Sequence, residues 1–215
     1  MRFLIALIAS LAFQTVNADA DLDSLMKKAE AGDAQAQSEL GLKYDLGNAI
    51  PENKLEAVRW YKAAAEQGRV DAQFNLATKY DLGEGVPKND AEAVRWYRAA
   101  AEQGLPVAQF NLANKYKSGE GVPENDAEAV WWYRAAAERG FANAQHNLAV
   151  HYAVGVGVPM NGIRAYTWFS IAKAQGFEKS NKVLDRIKSE MTRDQVAQAQ
   201  ALATRCYESD YKDCE

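Results

Sequence analysis

Residues 72–107 read AQFNLATKYDLGEGVPKNDAEAVRWYRAAAEQGLPV, and residues 108–143 read AQFNLANKYKSGEGVPENDAEAVWWYRAAAERGFAN. A weaker copy covers residues 144–179, residues 36–71 fit the same frame, and each copy begins 36 residues after the last. Self-similarity at a period of about 20–50 residues is the mark of a solenoid, in which one unit cannot bury its apolar face without a neighbour. Ala72, Leu76 and Tyr80 share one helical face with Ala77 beside them, and Ala108, Leu112, Tyr116 and Ala113 repeat it. Pro106 suits a first helical position, so this first helix (A) is expected to start there and stop near Gly119. The GEGVP segment that follows cannot stay helical, because its glycines open the backbone and its proline removes a donor. Asn-Asp-Ala-Glu at residues 89–92 and 125–128 then supplies a capping amide with a carboxylate three residues on, the start of a second helix (B). Helix B carries Val94, Trp96, Tyr97 and Ala100 and ends at Gly104. Two antiparallel helices per unit make the fold all-α.

The recurring pattern is A-x-x-x-L-[GA]-x-x-Y-x-x-G-x-G-V, then A-x-x-W-[YF]-x-x-A-A-x-x-G, in four registered copies. It resembles the Sel-one-like repeat, a relative of the tetratricopeptide repeat, over about residues 20–205. The resemblance implies a right-handed superhelical solenoid of antiparallel helix pairs, used as a protein-interaction scaffold.

The ends differ from the repeats. Arg2, an apolar run over residues 3–13 and Val16-Asn17-Ala18 form a signal-peptide pattern over residues 1–18; Ala18-Asp19-Ala20 offers a second cut. Such a run rises only about 16 Å as a helix, short of the ~30 Å hydrocarbon core, and no cysteine follows to take a lipid. Export to a bacterial periplasm or beyond is the expectation. Residues 19–35 read as a half-repeat cap, with Leu22, Leu25 and Ala29 in the places of Val58, Tyr61 and Ala65. Residues 36–179 hold four repeats, and residues 180–205 read as a carboxy-terminal cap of two helices, 180–190 and 191–205. Thr192 with Gln195 opens the second of these helices as a capping box. The acidic tail, residues 206–215, holds the two cysteines, Cys206 and Cys214. Export predicts a disulfide between them; the other reading is two thiols in a frayed tail.

Net charge is −4, and about −5 once Arg2 leaves with the leader. A mildly acidic chain without a basic cluster argues against nucleic acid, and the mature chain carries no membrane-inserting segment. No HExxH, P-loop or GxSxG motif occurs, and no cofactor is implied. His146 and His151 lie five apart, too far around a helix to chelate one metal. Ser24–Lys27 and Ser170–Lys173 match Ser-x-x-Lys, but neither has an accompanying Lys-Thr-Gly. Ser170 also occupies the place of Lys62, Arg98 and Arg134, a polar, solvent-side position. A cysteine-rich branch of the resembled family is linked to β-lactam binding, but it carries a cysteine pair in each repeat, which this chain lacks. The expected function is therefore a non-catalytic adaptor. A cell-wall or β-lactam-directed hydrolase and a scaffold in polysaccharide export are the alternatives.

Candidate binding residues form a column along helix A: Glu39/Lys43, Asn75/Lys79, Asn111/Lys115 and Asn147/His151, bordered by Thr78 and Asn114. In stacked hairpins the A helices line the concave surface, where amides suit a peptide backbone and lysines a carboxylate. The competing reading makes the asparagines braces for the adjacent turns. Trp131 stands where other repeats have Arg59, Arg95 and Thr167, either as an exposed contact residue or folded over a neighbouring turn. Trp60, Trp96, Trp132 and Trp168 recur at repeat spacing and read as core.

Overall fold

The computed structural model describes residues 21–214; the signal-peptide expectation for residues 1–18 lies outside them. The described residues are helical throughout, without a strand. They divide into two compact units, one ending at Asn89 and the other beginning at Asp90.

The first unit holds the helical residues 21–30 (α1), then α2 (Ala34–Leu46), α3 (Lys54–Glu66) and α4 (Val70–Leu82). Leu25 and Ala29 of α1 close a small core with Ala36 and Leu40, against which Leu22, Tyr44 and Trp60 pack. The second unit holds α5 (Asp90–Glu102), α6 (Pro106–Ser118), α7 (Asp126–Ala137), α8 (Ala142–Val154), α9 (Gly162–Ala174), α10 (Lys179–Glu190) and α11 (Arg193–Glu208). Helices α6/α7 and α8/α9 pair as hairpins, and both α10 and α11 pack on α9.

Each element ends for a stateable reason. Helix α6 runs from Pro106 to Ser118 and is closed by left-handed Gly119. The helix B caps are asparagines: Asn53, Asn125 and Asn161 side chains accept from the N–H groups of Glu56, Glu128 and Arg164. The same asparagines clasp helix A, since the N–H of Asn53, Asn125 and Asn161 donates to the carbonyl of Tyr44, Tyr116 and Tyr152. The tyrosine-to-asparagine spacing of the repeat is thereby a hydrogen-bond requirement. In the turn, the second glycine of each G-x-G has positive φ and lies against backbone: Gly85 against Lys54, Gly121 against Asp90, Gly157 against Asp126. A Cβ there has no room, so glycine is needed twice over.

The core is alanine-rich with large residues filling the layers. Ala72, Leu76 and Ala77 in the first unit, and Ala108, Leu112, Ala113, Ala144, Leu148 and Ala149 in the second, are fully buried. Trp96, Trp132 and Trp168 are core as expected, whereas Trp60 is half-buried over the cap. The carboxy-terminal pair departs from its expected limits. Thr192 and Gln195 form the capping box, but the helix starts at Arg193 and runs on through Cys206 to Glu208. Cys206 and Cys214 form a disulfide, and both are buried, so the tail is folded rather than frayed.

Candidate functional site

The column along helix A separates into two kinds of residue. Lys79, Lys115 and His151 are buried, at 6 %, 6 % and 4 % exposure, and each is engaged within the chain. Lys79 Nζ binds Asp45 at 2.6 Å and Glu84 at 2.7 Å. Lys115 Nζ binds Asp90 at 2.9 Å and Glu120 at 2.8 Å. His151 Nδ1 donates to the Val156 carbonyl at 2.8 Å, since a carbonyl can only accept. These side chains brace the turn after helix A, which corrects the expectation that they face a partner's carboxylate. The reason is length: from this register a lysine reaches the acidic residue of its own G-E-G turn. Lys43, in the first repeat, is half-buried, and Glu39 is exposed.

The electrostatics of the brace are clearest at Asp45. Burial works to raise its pKa, but hydrogen bonds from Lys79 and Lys54 hold it below the usual carboxylate value. Tyr61, buried behind it, has its phenol pushed well up, first by burial and then by the Asp45 charge.

The amides behave differently. Asn75 and Asn111 are half-buried and make no side-chain hydrogen bond among the described residues. Asn114 accepts from the Tyr133 hydroxyl at 2.5 Å. Asn147 also bonds that hydroxyl, countering the burial that raises its pKa. Asn114 and Asn147 thus hold a helix B tyrosine, which is neither the turn brace nor the free ladder that the sequence suggests. Thr78 bonds the Phe74 carbonyl within its own helix. The A helices also carry exposed apolar groups: Leu42, Leu46 and Leu82 in the first unit are 44 %, 65 % and 61 % exposed. Val154 in the second unit is 59 % exposed. Period and spacing could have found them, since Leu46, Leu82 and Val154 share one frame position.

The sequence missed a second column. Gln37, Gln73, Gln109 and Gln145 are buried, and the Nε2 of each donates to the carbonyl of Ala29, Ala65, Ala101 and Ala137 respectively. The signal was the invariant Ala-Gln at the start of each unit. Arg98 and Arg134, read as solvent-side, instead donate to the hydroxyls of Tyr116 and Tyr152, both at 2.6 Å. Ser170 replaces them before the cap; Ser170 and Lys173 share no hydrogen bond among the described residues, and Lys173 is exposed. Ser24 is exposed on α1. Trp131 is 56 % exposed and stands edge-on to Trp132, with ring centroids 4.3 Å apart. His146 Nδ1 shares a hydrogen bond with Ser180 Oγ at 3.0 Å.

Paired helices in register, closed by glycine turns and laid out as repeats, define an α-helical repeat scaffold. The Sel1 repeat model matches residues 34–68, 70–105, 106–141 and 142–177, so the chain belongs to the Sel1 repeat family. Its members are typically non-catalytic scaffolds for protein–protein interaction. Among solved structures, c5321, a protective antigen of uropathogenic Escherichia coli with an SLR fold, is 42 % identical with a TM-score of 0.75. That match covers 79 % of this chain and 36 % of c5321. A Sel1 repeat protein from Oxalobacter formigenes is 33 % identical with a TM-score of 0.71, over 77 % of this chain and 48 % of that protein. This chain thus spans less than half of either relative. Comparison with curated proteins finds no match. No described helix is long and apolar enough to cross a membrane.

Proposed function

We propose that this chain is an exported adaptor that takes an extended segment of a partner protein on the exposed faces of its A helices. The carrying observation is made in the first unit, where Leu82 is 61 % exposed seven residues, about two turns, from Asn75, whose hydrogen-bonding capacity is unspent; the second unit repeats both features in Val154 and Asn111. Apolar side chains left at 59–65 % exposure at repeat spacing suit the side chains of a bound segment, and the amides suit its backbone. Lys79, Lys115 and His151 drop out of the contact set, because the fold already uses them. Export to an oxidising compartment is supported by the Cys206–Cys214 disulfide and the leader-like residues 1–18. The likeness to a protein described as a protective antigen agrees with it.

The test uses envelope extract passed over immobilised protein. Leu82→Glu, and separately Asn75→Ala with Asn111→Ala, are compared with the wild type. Retention of a partner should fall about tenfold or more in the amide pair, the loss expected from two hydrogen bonds. Melting temperature should hold in both variants, because none of these groups is core. Retention at the wild-type level by both variants sinks the proposal.

A further inference from the structure

The third repeat departs from its siblings at one position of helix B and one in the turn just after it, and both departures meet in one place. Where other repeats carry Gln67, Gln103 and Gln175, the third has Arg139; where the first two carry Arg59 and Arg95, it has Trp131. Both line a pocket of about 410 Å³ together with Glu102, Gln109, Trp132 and Glu138.

The first departure removes a specific bond. In the first repeat Gln67 Nε2 donates to Gln37 Oε1 at 2.8 Å, and in the fourth Gln175 Nε2 donates to Gln145 Oε1 at 2.7 Å. Arg139 does not replace that donor, because its Nη1 turns back to the Ala135 carbonyl at 2.9 Å. Gln109 is only 3 % exposed, and its Oε1 is buried without a hydrogen bond. Trp132, at 6 % exposure, also has its indole Nε1 buried without an acceptor. The buried Nε of Arg134, another lining residue, also lacks an acceptor, so one acceptor and two donor atoms without partners border the same pocket. The second departure changes the rim. Arg95 lies over the Trp96 ring at 4.6 Å, whereas Trp131 stands edge-on to Trp132 and leaves an aromatic surface open beside the pocket.

We infer that this pocket is a second binding site, independent of the A-helix face, that accepts a glutamine side chain from a partner polypeptide. A primary carboxamide supplies an N–H for Gln109 Oε1 and a carbonyl for Trp132 Nε1–H, and its methylene stem packs on Trp131. For Gln109 Oε1 the donor is the one that the chain itself uses in its first and fourth repeats; the acceptor for the indole has no internal counterpart, since Trp168 Nε1 stays without one beside Gln175. Here the donor comes from outside because Arg139 has replaced the internal copy. Glu102, Glu138 and Arg139 ring the opening with both signs of charge and suit a polypeptide of mixed charge.

The probe is acetyl-Gln-methylamide, titrated to millimolar concentration into the full chain while the indole N–H resonances are followed by NMR. The Trp132 resonance, assigned by Trp132→Phe, should shift saturably with this probe and not with its Glu or norleucine counterparts. Arg139→Gln restores the internal pair, so it should raise the melting temperature and weaken probe binding about tenfold. Arg139→Ala leaves the pocket open and should keep the shift. Three results overturn the assignment: no saturable Trp132 shift with the Gln probe, equal binding by Arg139→Gln, or an equal shift from N-acetylglucosamine.

Discussion

Lys79 and Lys115 close the turns of the second and third repeats by reaching five residues forward to the carboxylates of Glu84 and Glu120. In the fourth repeat His151 reaches the same five residues forward, but to the backbone carbonyl of Val156. The loop backbone is alike in all three, with left-handed glycines at 83/85, 119/121 and 155/157. Only the chemistry of the brace differs, and its two halves change together, Lys with Glu and His with Val. The repeat therefore specifies a geometry, and each copy satisfies it with the partners at hand. One brace is an ion pair, which salt screens; the other is a hydrogen bond to a backbone carbonyl.

The backbone common to both turns should be the most vulnerable part. Gly121→Ala and Gly157→Ala each force a left-handed residue and press a Cβ into the backbone at Asp90 or Asp126. The expected loss is roughly 3 kcal/mol or more, of which left-handed strain is about 1–2. Gly68→Ala is the control, because it has positive φ but nothing within 4 Å of the added Cβ. Thermal melts should rank the two turn variants well below Gly68→Ala. If all three lose the same amount, the close approach carries no energy and only the dihedral matters.

The braces themselves come next. Lys115→Met keeps the buried stem and removes the ion pairs to Asp90 and Glu120, at an expected cost of about 1–3 kcal/mol. His151→Phe removes one hydrogen bond to a partly exposed carbonyl, for about 0.5–1.5 kcal/mol. Added 1 M salt should narrow the deficit of Lys115→Met and leave that of His151→Phe unchanged, because screening acts on charge. Denaturant melts at two ionic strengths check this. The same salt response in both variants would erase the distinction between the two turns.

How much of this was legible in the sequence follows from what periodicity can carry. The helices, the glycine stops, the asparagine caps and the disulfide were all readable, because each is a local signal repeated or isolated in a known register. The fate of Lys79 and Lys115 was not. Helical spacing places them beside the Asn column, but only the path of the turn shows that Glu84 and Glu120 come back to meet them. Gln109 illustrates the same limit from the other side. Its repeat spacing was visible, yet its importance lies in a missing partner, Arg139, 30 positions further along the chain. The open leucines were legible and overlooked, since the apolar reading stopped at the Leu76/Tyr80 face.

The smallest expected effect is the pH response of the Asp45 brace. Asp45 holds Lys79 and Lys54, and those hydrogen bonds keep its folded pKa below the usual value against the opposing effect of burial. A carboxylate with a depressed folded pKa stabilises the fold fully above its unfolded pKa, about 3.9. That contribution is lost as pH falls from there through the folded value. Asp45→Asn should therefore lower stability by about 1 kcal/mol near neutral pH, the net scale of a typical hydrogen bond, since the amide oxygen still accepts from the lysines. The gap between variant and wild type should stay constant down to about pH 5 and then close as acid protonates Asp45 in the wild type. Melting temperatures of Asp45→Asn and the wild type, taken from pH 7 down to the lowest pH at which the wild type stays folded, supply the comparison. A gap for Asp45→Asn that persists unchanged below pH 3 would mean that the carboxylate's charge contributes nothing and that its role is packing alone.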